Sequence, residues 1–378
     1  MTIPQLIAAG VVALASVSGV LPGAGSLGTG SLDTGSLAGA TPPAHVGYVD
    51  NLTIPDDLSF GGYPVGGLSG IDFDRASGEF VAISDNRGEA GPVRLYTLGL
   101  PLVDGKLSTA RFDSMVSLLD TDGAPYARRA ADTESVRWLP HQARYVYTSE
   151  GEAKIGRPGF VREAGIGGEF VRDVPLPDHF TPRLDDNGTL VSGIRDNLGF
   201  EGMTLSADGR RVVAVSENAL VQDGPAASTD GTSPSRLLVL DRASGADLGE
   251  FVYPVDAVPP GGMPEATGVA EILAADDGAF LTLERTMIPG RGFTGKIYWT
   301  TTAGADDVAG VPALTGSERP MRKELLFDFG SVTEDSDCIE GITWGPRLPD
   351  GSRSLVVVAD NNFGLAGRTT FHLLSVSD

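Results

Sequence analysis

From residue 66 onward the chain reads as short runs in which apolar and polar residues alternate. In one stretch GMTLSA (202–207) and RVVAVSE (211–217) are followed by RLLVLD (236–241) and GEFVYPVD (249–256). Alternation of period two, in runs rich in β-branched and aromatic residues, predicts half-buried strands. No segment sustains a helical period, so the predicted fold class is all-β. Asp208-Gly209 and Asp277-Gly278 fall in short connections between runs, where a positive φ is often required. We read these aspartates, and His141 in an equivalent turn, as turn residues without a catalytic role.

The runs repeat as a set. Five segments share one order: a small or acidic residue, often followed by glycine, then an apolar residue, a strand, a turn and a second strand ending in an acid. They are Ser69-Gly70-Ile71 leading to Asp85-Asn86, Glu134-Ser135-Val136 leading to Glu150-Gly151, and Glu201-Gly202-Met203 leading to Glu217-Asn218. Thr267-Gly268-Val269 leads to Glu284-Arg285, and Glu340-Gly341-Ile342 leads to Asp360-Asn361-Asn362. The starts at 69, 134, 201, 267 and 340 lie 65 to 73 residues apart, room for four strands and functional loops. The start-to-acid gap is 16 residues in the first three repeats, 17 in the fourth and 20 in the fifth, whose turn at 348–352 is enlarged.

The fifth repeat supplies only three strands, the last being TFHLLSV (370–376), while HVGYVDNLTIP (45–55) resembles the fourth strands EFVRDVPLP (169–177) and EFVYPVDAVP (250–259). The prediction is a β-propeller of five four-stranded blades, the last closed by the N-terminal strand so that no sheet edge stays open. A sixth, degenerate blade has room around residues 181–197.

Residues 4–22 read as the hydrophobic region of a signal peptide, though without a basic start, and residues 23–42 as a Gly-Ser-Leu linker of low complexity. The domain is then 43–378, and the expected location is secreted or cell-envelope. No other stretch is long and apolar enough to span a bilayer. The 50 acidic residues against 28 basic ones give a net charge of −22, which repels nucleic acid and anionic membranes and favours cations. The single cysteine, Cys338, excludes an internal disulfide.

In an antiparallel hairpin the start of the first strand and the end of the second share one end. Around a closed ring, the repeated acids therefore meet at one channel mouth. The candidate metal ligands are Asp85, Glu134, Glu150, Glu201, Glu217, Glu284, Glu340 and Asp360, with Glu271 replacing the acid missing at Thr267. Crowded like charges call for compensation, and calcium takes six to eight oxygens in loose geometry. Asn86, Asn218, Asn361 and Asn362 could add amide oxygens; with four scattered histidines, zinc is not expected. The alternative role for each acid is to cap a turn or bond a neighbouring blade. Arg87, Arg195 and Arg285 belong to loops on the same face and could grip an oxyanion, or pair with those acids. Asp120, Asp122, Glu334, Asp335 and Asp337 form weaker acidic loops. Ser149 and Ser216 read as strand ends, and no serine-hydrolase elbow or nucleotide loop is present.

The stretches at 66–88, 132–152, 197–218, 266–286 and 338–363, taken in this order, resemble the phytase-like family, "esterase-like activity of phytase". The resemblance implies a propeller related in architecture to alkaline phytases, in which calcium ions in an acidic channel bind phosphate and activate water. It carries that role onto Asp85, Glu134, Glu150, Glu201, Glu217, Glu340 and Asp360. A carboxylate, Glu201 or Glu217, would serve as general base, and Arg87 or Arg285 would stabilise developing charge. Lysine is scarce, only Lys106, Lys154, Lys296 and Lys323, which puts phytate itself in doubt. The expected function is a monomeric calcium-dependent hydrolase of small anionic phosphoesters or other esters. A calcium-stabilised binding propeller and a gluconolactonase-type lactone hydrolase are the rival readings.

Overall fold

The computed structural model describes residues 41–377, and the signal-peptide and linker readings lie almost wholly outside them. Strand β1 (His45–Thr53) leads into blade I, made of β2 (Leu68–Asp74), β3 (Glu79–Ser84), β4 (Arg94–Gly99) and β5 (Arg111–Ser117). Blade II holds β6 (Thr133–Leu139), β7 (Arg144–Ser149), β8 (Phe160–Gly165) and β9 (Phe170–Val174). Blade III holds β10 (Phe200–Leu205), β11 (Arg211–Ser216), β12 (Ser233–Asp241) and β13 (Asp247–Val255). Blade IV holds β14 (Thr267–Asp276), β15 (Ala279–Ile288), β16 (Gly292–Thr301) and β17 (Arg322–Asp328). Blade V runs β18 (Cys338–Trp344), β19 (Arg353–Asp360), β20 (Thr370–Ser377), with β1 as its outer strand.

β1 pairs antiparallel with β20 from His45↔Ser377 to Thr53↔Thr370, the closure expected from the missing fourth strand. Between blades II and III lies a hairpin of Arg183–Leu184 with Leu190–Ser192, not a sixth blade. Its strands are too short to form a four-stranded layer, and Asp185 caps the intervening turn by accepting the Asn187 and Thr189 amides.

Five hydrophobic clusters occupy the five interfaces between successive blades, so the core is a ring of slabs. Strand β19 shows the cause: Leu355, Val357 and Ala359 pack toward blade IV, while Val356 and Val358 pack toward blade I. With successive side chains on opposite faces, a strand apolar throughout is buried on both. Close approach of the inner strands leaves little room at the axis. A Cβ on Gly70 would lie 2.5 Å from the Glu134 carbonyl oxygen, and one on Gly341 would lie 3.0 Å from the Gly70 Cα.

Candidate functional site

Each inner strand carries a β-bulge near its start. The register slips between Leu68 and Gly70, Thr133 and Val136, Phe200 and Gly202, Val269 and Glu271, and Ile339 and Gly341. The extra residues include Ser69, Glu134, Glu201, Ala270 and Glu340. A bulge leaves a residue outside the ladder and re-aims its side chain, here at the channel mouth. On the second strands, Asp85, Glu150 and Glu217 follow the last paired residue, and Asp360 is itself paired with Cys338.

The structure brings Glu134, Glu150, Glu201, Glu217, Glu340 and Asp360 into one buried electrostatic neighbourhood with Asp85. It adds Asp132, just before β6, which the repeat pattern missed because only one acid per strand start was sought. One carboxylate oxygen each of Asp132, Glu134 and Glu150 lie within 4.8 Å of one another, as do those of Glu150, Glu201 and Glu217. Glu150 thus joins two possible metal-holding groups.

Burial and mutual repulsion raise these carboxyls. Burial, then the Glu150 charge, pushes Asp132 up to about 7; burial, then Glu217, pushes Glu150 to about 7. Glu217 and Glu340 rise to about 7 through burial, although Arg285 opposes the shift in both. Asp360 reaches about 6 through burial, held back by backbone N–H groups that donate to it. Burial lifts Glu134, Glu201 and Asp85 well above the ordinary range, with Asp132, Glu134 and Asp360 respectively the largest neighbouring charges.

Blade IV departs from the pattern. Val269 pairs with Glu284 and Gly268 with Arg285, which aligns the bulge with Ala270 rather than Thr267 and puts Arg285 in the position of Glu217. Glu284 accordingly lies between blades, where it accepts from Tyr253 Oη at 2.6 Å and Lys323 Nζ at 2.5 Å. It does not join the ring, because one residue of register turns a side chain to the other face. Glu271 is likewise displaced from the mouth. Fully buried, it accepts from Ser135 Oγ at 2.8 Å and the Met203 amide at 2.8 Å, and pairs with Arg137 at 3.1 Å.

Arg285 donates to Glu340, lies 3.2 Å from Glu217 and 3.2 Å from the Cys338 sulfur, and the Cys338 thiol donates to Glu340 at 2.9 Å. Arg87 binds Asp132 at 2.7 Å and the Asn197 side-chain oxygen at 2.7 Å. Arg195 instead donates to the Ala219 and Gly224 carbonyls and holds loops together. The asparagines are engaged similarly: the side-chain oxygens of Asn86, Asn218 and Asn361 accept the amides of Gly88, Ala227 and Phe363, and Asn362 is partly exposed beyond the strand end. Asp120 and Asp122 cap their own turn, Asp335 accepts the Phe293 amide, and Asp337 pairs with Arg368.

The donor set suits a hard divalent cation. Its ligands are all oxygen, the carboxylates outnumber Arg87 and Arg285, and two buried atoms, Glu340 Oε2 and Asp360 Oδ1, have no hydrogen-bond partner. An unpartnered carboxylate oxygen out of water is costly, and a cation at that point removes the cost.

The endo-arabinase of Bacteroides thetaiotaomicron is similar over 83% of this chain and 94% of its own, at 11% identity and a TM-score of 0.43. The periplasmic gluconolactonase of Pseudomonas aeruginosa is similar over 83% and 88%, at 14% identity and a TM-score of 0.37. A glucose dehydrogenase is similar over 87% and 99%, at 10% identity and a TM-score of 0.41. No curated protein matches the chain. Residues 63–363 match the family model "Phytase-like: Esterase-like activity of phytase", and the chain belongs to that family of hydrolase-type propellers.

Proposed function

We propose that this protein is an exported, monomeric, calcium-dependent hydrolase of small anionic phosphoesters or other esters. The observation that carries the reading is the buried carboxylate ring with unpartnered oxygens on Glu340 and Asp360. Asp132, Glu134 and Glu150 on one side and Glu150, Glu201 and Glu217 on the other would hold the metal, with Asp85, Glu340 and Asp360 adjoining. Calcium bound there supplies positive charge that tolerates an anionic substrate and lowers the pKa of water.

The chain's own groups divide the remaining work. Glu217, paired with Arg285, is the carboxylate more readily ionised, whereas Glu201 is pushed up by burial and by the four acids Glu134, Glu150, Glu217 and Glu340 around it. Glu217 is thus the general base: it takes the proton from water as the oxygen adds to phosphorus or carbonyl carbon. Glu201 stands within hydrogen-bonding reach of Glu217 and Glu150 and keeps the base in position. The ester bond then breaks, and the departing alkoxide oxygen takes the proton that Glu217 holds, which returns the base to its ionised form. Arg87, partly exposed at the mouth, can face the developing negative charge.

The test is turnover of p-nitrophenyl phosphate and p-nitrophenyl acetate with calcium and with chelator. Calcium-dependent turnover that disappears in Glu201→Gln/Glu217→Gln is expected. Activity surviving that double change would overturn the site. No turnover, with calcium raising only Tm, would favour the calcium-stabilised binding propeller. Protein recovered outside the cytoplasm without residues 1–22 is the outcome expected of export.

A further inference from the structure

The inner strands β2 and β18 begin at the acidic ring and end at Asp74 and Trp344, toward the opposite channel mouth. There basic side chains gather in one cleft. The turn after β2 and the enlarged turn after β18 enclose a cleft of about 190 Å³, lined by Phe73, Trp344 and Pro346 together with Arg75, Arg347 and Arg353. Among the described residues, the acids at these turns accept local hydrogen bonds. Asp74 accepts the Ala76 amide and Ser77 hydroxyl, Asp350 accepts the Ser352 amide and hydroxyl, and Asp72 accepts the Trp138 amide. Among the described residues neither Arg75 nor Arg347 has a carboxylate partner; Arg347 donates only to the Gly351 carbonyl, at 2.7 Å.

The apolar side is held rigid. Trp344 Nε1 donates to the Ala274 carbonyl at 3.0 Å, and the Arg353 guanidinium lies 4.3 Å from the indole centroid. The Arg75 and Arg347 guanidiniums, beside this anchored aromatic wall, match an oxyanion attached to a flat apolar body. On a chain of net charge −22, such a local cluster is what lets an anion approach within the screening distance of water and salt.

We propose that this cleft binds a small aromatic carboxylate or aromatic phosphonate-like anion, its ring against Phe73 and Trp344 and its oxyanion at Arg75 and Arg347. The site is separate from the acidic ring and does not depend on the hydrolase reading. The experiment titrates the whole calcium-loaded protein with benzoate, phenylphosphonate and inorganic phosphate. It follows the Trp344 indole N–H resonance and measures affinity by calorimetry. Benzoate or phenylphosphonate should shift that resonance, and Arg75→Ala and Arg347→Ala should each weaken binding about tenfold or more with Tm unchanged. The tighter of the two probes assigns the oxyanion class. No shift with either aromatic probe, affinities unaltered by both substitutions, or inorganic phosphate binding as tightly as phenylphosphonate would overturn the proposal.

Discussion

Arg285 occupies in blade IV the ring position that Glu217 occupies in blade III, and the two side chains meet at 3.2 Å. The one blade that lacks ring carboxylates thus supplies a cation to its neighbours on both sides, Glu217 and Glu340.

Arg285→Ala should therefore destabilise the metal-free protein by about 3–5 kcal/mol near pH 8, the usual cost of leaving buried carboxylates without a partner. At pH 5 those carboxyls are protonated and the loss should shrink. Denaturant unfolding at both pH values checks this; equal losses would mean that Arg285 acts by packing alone.

The ring also sets a pH dependence. Glu150, Glu217 and Glu340 have folded pKa values raised from 4.5 to about 7, so the folded state binds more protons between those limits. The stability they contribute is fully present below about 4.5 and is lost as pH rises through about 7. Metal-free protein should thus unfold at lower denaturant as pH climbs from 4.5 to 7.5. Calcium should flatten that slope, because it stabilises the ionised ring. A metal-free stability that rises with pH over this range would contradict the assignment.

Calcium at a hundred times its Kd should stabilise the fold by about 2.7 kcal/mol per independent site, read as a rise in Tm. Glu201→Gln/Glu217→Gln should remove most of that rise, and Glu284→Gln should leave it intact. An equal loss in Glu284→Gln would return that residue to the metal site.

Glu271 and Arg137 form a buried ion pair at 3.1 Å, away from the acidic mouth. Arg137→Ala strands a carboxylate that burial already pushes up to about 7 against the arginine. The expected cost is about 3–5 kcal/mol, with the calcium-induced stabilisation preserved. A calcium response abolished while the fold persists would instead make Glu271 a ligand.

Gly70→Ala tests the close approach at the axis. Its new Cβ would fall 2.5 Å from the Glu134 carbonyl oxygen, so inner strands must part. A loss of about 1–3 kcal/mol and weaker calcium binding are expected. Both are measurable by calorimetry, and an unchanged calcium affinity would show that Glu134 tolerates the shift.

Strand periodicity and the repeated acids were readable in the chain alone, because side-chain alternation and hairpin geometry are local rules. They predicted five blades, the closure by 45–55 and the convergence of Glu134, Glu150, Glu201, Glu217, Glu340, Asp360 and Asp85. Three-dimensional pairing decided what spacing cannot. Counting from Thr267 picked Glu284, but the bulge at Ala270 turns that carboxylate between blades and gives its place to Arg285. Asp132 joined the ring from outside the repeat order, the asparagines turned to their own loops, and the cleft at Trp344 formed from turns of two blades far apart in sequence. A bulge displaces a ladder by one residue and reverses the face of each side chain beyond it, and that choice is made by contacts between blades, not by the order of residues within one.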